Sequence, residues 1–156
     1  VFGFDNFSGF NDMDVKDGVS ISSVDKDIGG FDSGVFEDIL EDALGIFDKD
    51  RFIPYKPRVK LVKGDIEESV PQFVINNPGL RICLLHFDCD MYQPTKIGLK
   101  HLWNLVVPGG IVLFDEYGIR PWEGESKAVD EFFGDKKVSL KRFDWCPNPG
   151  AYLVKE

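Results

Sequence analysis

Apolar and polar positions fall in blocks along this chain, and the spacing inside each block predicts an element. Val1-Phe2-Gly3-Phe4 is a short apolar run closed by Asp5, which reads as a strand tip. From Ser8 to Gly34 the chain is rich in Gly, Asp and Ser with little periodicity. It reads as a long loop of the kind that forms functional lids. Phe36, Ile39, Leu40, Ala43, Leu44 and Phe47 then recur at helical spacing, predicting a helix over residues 35–47 with Asp32 or Ser33 as its cap. Pro54 and Pro57 break the chain before a strand at 58–63, and Gly64-Asp65 turns it into a helix at 67–76 that Asn77-Pro78-Gly79 ends.

The second half repeats the alternation. A strand is predicted at 81–87, then a helix from Pro94 to about residue 106, with Pro94 suited to a first turn. Pro108-Gly109-Gly110 reads as a tight turn into a strand at 111–114, and a further helix spans about 124–133. The runs 137–145 and 151–154, joined by Pro147-Asn148-Pro149-Gly150, look like an antiparallel hairpin. Strands alternating with helices imply one α/β domain over residues 1–156. Its expected form is a Rossmann-like, doubly wound, mostly parallel sheet with a C-terminal antiparallel hairpin. No internal repeat or linker divides it.

Composition narrows the function. The 156 residues carry a formal charge of −9, which argues against a nucleic-acid partner and an anionic membrane surface. No apolar stretch approaches the about 20 residues a spanning helix needs, and no signal peptide is visible. Cys83, Cys89 and Cys146 form no CxxC pair and read as reduced thiols, which places the protein in the cytoplasm.

Chemistry concentrates where two apolar runs end. Leu84-Leu85-His86-Phe87 is followed by Asp88-Cys89-Asp90, and Ile111-Val112-Leu113-Phe114 by Asp115-Glu116. Buried parallel strands release such residues into the crevice where open α/β sheets bind ligands. Four carboxylates there would repel one another, and a divalent cation such as Mg²⁺ is the simplest neutraliser for hard oxygen donors. Asp88, Asp115 and Glu116 are the candidate metal ligands. Asp90 leaves the same strand end and is the candidate general base, with helix capping as its bland alternative. Asp5, directly after a strand, could accept ribose hydroxyls or simply close a turn. Asp65 could take an adenine amino group or serve as an ordinary helix cap. His86 reads as a core or supporting group and His101 as a surface residue. Tyr92, Thr95, Trp122 and Trp145 are left between site and packing.

Four segments, in order, resemble the macrocin O-methyltransferase family of class I S-adenosylmethionine-dependent methyltransferases. They are Phe4-Asp5-Asn6-Phe7-Ser8-Gly9-Phe10; Lys63-Gly64-Asp65-Ile66-Glu67-Glu68-Ser69-Val70-Pro71; Asp88-Cys89-Asp90-Met91-Tyr92-Gln93-Pro94-Thr95; and Pro108-Gly109-Gly110 through Asp115-Glu116-Tyr117-Gly118. The last two are specific as a pair. Glu116 stands where that family usually has Asp, a longer reach for the same oxygen chemistry.

The resemblance implies S-adenosylmethionine as cofactor, contacted by Asp5, Asn6, Ser8, Asp65, Ile66 and Asp88, and a Mg²⁺-assisted transfer to a hydroxyl of a sugar or similar metabolite of secondary metabolism. It tips Asp5 toward ribose. The implied partner is a small-molecule hydroxyl acceptor, with a homodimer left open. It also implies that the first strand and its glycine-rich turn are missing, so the chain, which starts at Val1, is expected to be an N-terminally truncated piece. On that expectation the strand at Asp5 should not pair with the strand ending at Phe87. Two rival classes remain: a non-catalytic truncated remnant, and an Asp-x-Asp phosphatase or glycosyltransferase. The second loses because Tyr92 stands where a phosphatase carries Thr or Val, and a glycosyltransferase has no evident need of Asp115-Glu116-Tyr117.

Overall fold

A computed structural model describes residues 1–18, 26–136 and 138–156. The elements run β1 (Phe2–Asp5), α1 (Phe36–Lys49), β2 (Lys60–Lys63), α2 (Ile66–Asn76), β3 (Ile82–Phe87), α3 (Tyr92–Leu102), β4 (Val106–Phe114), α4 (Glu123–Phe133) and β5 (Ala151–Val154), with single 3-10 turns at Val15–Asp17 and Trp103–Leu105. β1 and β2 form a parallel pair. β3 and β4 are parallel, and β5 adds antiparallel to β4. This is an α/β chain with a mixed strand set. Among the described residues β1 forms no ladder with β3, and the strands stand as two sheets, β1-β2 and β3-β4-β5.

The core lies between the larger sheet and the helices α3 and α4. Phe87, Leu99, Val106, Val112, Phe114, Val129, Phe133 and Leu153 are buried together there. Phe87 and Phe114, side by side on β3 and β4, stack with ring centroids 5.3 Å apart. Gly98 of α3 lies against the Phe87 ring, so closely that a Cβ would collide with it. The opposite face of this sheet carries the cross-strand row Leu84, Ile111 and Val154, all three exposed. In the smaller sheet, Phe2 and Phe4 meet Phe73 of α2 edge-on at 4.7 and 5.1 Å.

Several expectations change. The stripe on α1 does not reach a core: α1 buries no residue, and Phe36, Ile39 and Phe47 are exposed. Helical spacing says which side chains share a face, not whether anything packs on it. Neither Asp32 nor Ser33 caps α1 by its side chain. Val35 holds the cap position, Asp32 Oδ1 accepts from the Gly34 amide, and the Ser33 main-chain carbonyl accepts from Phe36 N. Pro108-Gly109-Gly110 is not a turn before a strand but a bulge inside β4. The register steps from Ile82↔Val106 to Leu84↔Ile111 there. Gly109 takes φ +79°, and the bulge is stitched to the C-terminus by Gly109 N donating to Lys155 O (2.7 Å) and Lys155 N donating to Gly110 O (2.8 Å). Among the described residues the C-terminal hairpin shrinks to β5 and a single antiparallel bridge, Lys141↔Tyr152. Lys137, the start of the expected hairpin, and residues 19–25 of the expected loop lie outside the described residues.

Candidate active site

The carboxyl ends of β1 and β3 open onto one cavity of about 290 Å³, and the turn after β2 lines it too. Asp5, Asn6, Asp65, Ile66, Asp88 and Asp90 all lie on its wall. Ser8 does not; its hydroxyl turns to Asn11 Oδ1 at 3.3 Å.

Local turn chemistry holds the β1 exit. Asp5 Oδ1 accepts from Phe7 N (2.7 Å), Asn6 Oδ1 accepts from Ser8 N (2.9 Å), and Asn6 Nδ2 donates to Gly9 O (2.7 Å). These short-range bonds are what Asp and Asn make in tight turns. They commit the Asn6 amide on both sides, while Oδ2 of Asp5 makes no hydrogen bond among the described residues. Asp65 does cap α2, with Oδ1 accepting from Glu67 N at 2.8 Å. Its other oxygen accepts from Asn11 Nδ2 at 2.9 Å, which ties the loop after β1 to the turn after β2.

Beyond β3 the chain turns sharply. Asp90 adopts φ +61°, a left-handed conformation unusual for a residue with a Cβ, and such strain concentrates at functional sites. Burial pushes the Asp90 carboxyl up to about 6, helped by the charges of Asp88 and Asp115. Burial likewise raises Glu116 to about 7, with Asp90, Asp115 and Asp88 adding to the rise. The four carboxylates therefore share one field, though they sit on two strand ends. Asn148 Nδ2 spans Asp115 Oδ2 (3.2 Å) and Glu116 Oε1 (3.4 Å), and His86 Nε2 lies 3.3 Å from Asp115 Oδ1. His86 is thus a half-exposed neighbour of a site carboxylate, not a core group. The donors are all hard oxygens. As the side chains stand, no group of three or more His, Cys, Asp or Glu among the described residues is gathered closely enough to hold a metal ion. Burial pushes the Cys89 thiol up, as it does for structural rather than reactive cysteines.

The loop after Asn11 is better organised than its composition suggests. Asp14 and Asp17 form a capping box around the turn Val15–Asp17. Asp17, fully buried, also accepts from Tyr92 N at 2.6 Å, supplying α3 with the cap that Met91 lacks. Lys26, wholly buried, donates to Asp17 O and Pro121 O, with Glu123 Oε2 3.9 Å away. A buried ammonium needs such partners. Phe10, Phe31 and Trp122 close the same junction with ring centroids 5.5–6.1 Å apart. Trp122 therefore belongs to this junction. Tyr92 does as well: its hydroxyl donates to Glu131 and accepts from Lys16. Thr95 bonds Met91 O within the first turn of α3, and Trp145 stands exposed beside Phe143.

Sequence reasoning does not find Asp17, Lys26, Asn148 or Glu125. The Asp-x-x-Asp spacing at 14–17 is a signal for the first. Lys26 and Asn148 reach Pro121 O and Asp115 only through long-range folding, and Glu125 meets the Glu116 amide nine residues back across the turn between β4 and α4.

Parallel strands that end in carboxylates around a shared crevice define an α/β ligand-binding protein. The chain belongs to the macrocin-O-methyltransferase (TylF) family, whose model matches residues 14–151. No curated protein matches it. Among solved structures it is similar to CalS11, calicheamicin methyltransferase, at 33% identity and a TM-score of 0.87, covering 98% of this chain and 59% of that one. The apo structure of CalS11, described as TDP-rhamnose 3'-O-methyltransferase, an enzyme in calicheamicin biosynthesis, gives 29% and 0.76, over 98% of this chain and 56% of that one. The O-methyltransferase NovP, at 20% and 0.62 over 99% of this chain and 59% of that one, shares the fold. The chain thus spans less than two thirds of the length of each solved chain. Among the described residues, no helix is long and apolar enough to cross a membrane.

Proposed function

We propose that this chain carries the cofactor crevice and acidic centre of an S-adenosylmethionine-dependent O-methyltransferase. Its substrate would be a hydroxyl of a sugar or a similar small metabolite. The observation that carries the reading is the single cavity walled by Asp5, Asp65, Asp88 and Asp90, in a chain of the macrocin-O-methyltransferase family. The similarity to CalS11, a TDP-rhamnose 3'-O-methyltransferase, supports a sugar acceptor. The two sheets are read as parts of one Rossmann-like order, with β1 and β3 lying on either side of a strand position that no strand among the described residues fills.

The cofactor would supply an electrophilic methyl group. In this reading Asp5 receives the ribose hydroxyls through the oxygen its turn leaves free, and Asp65, held in place by Asn11 and Glu67, faces the adenine edge. Asn6 shapes the turn that presents Asp5; Ile66 and Asp88 complete the wall. Asp90, with its pKa near 6, accepts the hydroxyl proton. A general base works best when its pKa lies near the operating pH.

Asp88, Asp115 and Glu116 would hold a Mg²⁺ or similar ion, which would acidify the acceptor hydroxyl. Their oxygen chemistry and mutual repulsion suit a hard divalent cation. The acidic surface, the three free cysteines and the small cavity favour a cytoplasmic enzyme of small molecules, free of nucleic acid and membrane, alone or as a homodimer.

A second reading, a binding piece without turnover, is favoured by the exposed apolar residues of α1 and β3. Calorimetry with S-adenosylhomocysteine, followed by a methylation assay on a nucleotide sugar with and without Mg²⁺, decides between them. Binding with metal-dependent methylation supports the enzyme. Binding without turnover supports the second reading, and absence of binding removes both the cofactor assignment and the enzyme.

A further inference from the structure

We propose that Glu125 is a positioning residue for the acidic centre, holding the turn that carries Asp115 and Glu116 by its main chain. This rests on the reading of that centre as a cation site.

Glu125 has no solvent exposure, although it stands on the first turn of α4 beside the polar Glu123 and Ser126. Its Oε1 accepts from Glu116 N at 2.9 Å. The next residue does the same for the same turn: Ser126 Oγ accepts from Gly118 N at 2.8 Å. Two consecutive side chains at the start of α4 thus grip the exit of β4 at alternate amides. Tyr117, between them, sends its hydroxyl to Asp130 Oδ1 at 2.8 Å, one further turn and more along the same helix. The turn after β4 is therefore anchored to α4 at three successive points, and its two carboxylates take their place from that anchorage.

The second oxygen shows that this is more than ordinary packing. Glu125 Oε2 is the one buried side-chain oxygen or nitrogen among the described residues with no hydrogen-bond partner. A buried carboxyl group with an unpaired oxygen is costly, and a residue with a single acceptor could make the Oε1 bond without leaving an oxygen unpaired. The α4 N-terminus offsets part of the cost, since its dipole favours a carboxylate in the first turn. What remains is a fifth acidic side chain, close enough to Asp90, Glu116 and Asp115 to feel their charge. Groups that support ligand side chains in this way commonly control affinity for a cation.

The test uses the full 156-residue chain and three variants, Glu125→Ala, Glu125→Asp and Glu125→Gln. Two quantities are read for each: the Glu116 amide proton shift in an ¹⁵N-labelled sample, and Mn²⁺ affinity by electron paramagnetic resonance. Glu125→Asp withdraws the oxygen by one methylene, Glu125→Ala removes it, and Glu125→Gln keeps an acceptor. The expected result is an upfield move of the Glu116 amide in the Ala and Asp variants only. Mn²⁺ affinity in those variants should fall by about tenfold or more, and Glu125→Gln should restore most of it. S-adenosylhomocysteine affinity should hold throughout.

If the Gln and Asp variants alter the amide equally, or neither alters it, the positioning role is refuted. It is also refuted if Mn²⁺ affinity is unchanged while the amide moves. Should the Ala variant fail to fold, the Asp and Gln pair decides alone. A wild-type chain that takes up no Mn²⁺ removes the cation reading of the centre and with it any role for Glu125 toward a metal; the amide shift then still reports whether Glu125 holds the turn.

Discussion

The two halves of this chain are held by different forces. From β3 to β5, large apolar side chains interlock between a sheet and two helices, and every member of the main core cluster comes from this half. Among the described residues from β1 to α2, Val70 is the one fully buried apolar side chain, and α1 contributes none. The first half is instead joined to the second by polar groups. Asp17 caps α3 across 75 residues of sequence, Lys26 ties Asp17 O to Pro121 O, and Asn11 reaches Asp65. The cavity lies on the seam between them. A half held by apolar packing thus supplies the proposed acidic centre, and a half held by directional bonds supplies the proposed nucleoside wall. Ligand-binding segments are commonly drawn from the less stable parts of a fold.

The largest effect should come from the core. Phe114→Ala removes a fully buried ring stacked on Phe87 and should cost about 3–5 kcal/mol in urea unfolding. A loss under about 1 kcal/mol would mean that the second half is not the stable one.

The seam comes next. Asp17→Ala deletes the cap of α3 and frees one end of the capping box, and should cost about 1–3 kcal/mol. Hydrogen exchange should accelerate at Tyr92 and in residues 14–18 before it changes in β4. Asp17→Asn, which keeps an acceptor, should recover most of the loss.

A third test separates the functions of the two halves. Asp5→Ala should weaken S-adenosylhomocysteine binding by calorimetry, whereas Asp115→Asn should leave it nearly intact and abolish metal-dependent turnover. Equal effects on cofactor affinity would erase the proposed division.

The acidic centre also predicts a pH dependence confined to the second half. Glu125, Glu116 and Asp90 have folded-state pKa values of about 8, 7 and 6, raised first by burial, against ordinary values of 4.5, 4.5 and 3.8. Between those limits the folded chain binds more protons than the unfolded one, so stability falls as pH rises. In the presence of a chelator, the melting temperature should therefore be higher at pH 5.5 than at pH 8.5. Glu125→Gln should flatten the slope, most of all toward its upper end.

The smallest effect should be on α1. Ile39→Ala, on an exposed stripe, should change stability by no more than about 0.5 kcal/mol. A larger loss would show that α1 packs in solution against a surface beyond this chain's own contacts.

Much of this architecture is legible in the amino-acid sequence. Hydrophobic runs of four to six residues locate β1, β3 and β5, helical spacing locates α1, and Gly and Pro signals bracket the helices that follow to within a few residues, because these are local properties of the backbone. Asp5, Asp65, Asp88 and Asp90 are expected at one crevice because strand ends in open α/β sheets converge there. The Asp65 cap is legible from Gly64-Asp65 alone. Periodicity cannot say that α1 leaves its apolar stripe in solvent, since that depends on whether a surface lies opposite. Nor can it distinguish a turn from a bulge at Pro108-Gly109-Gly110: the Lys155 backbone, far along the chain, makes the difference. Lys26, Asn148 and Glu125 carry ordinary polar patterns in sequence. Only the fold buries an ammonium between two carbonyls, lays an amide across Asp115 and Glu116, and leaves one carboxylate oxygen without a donor, because desolvation and pairing are set by neighbours distant along the chain.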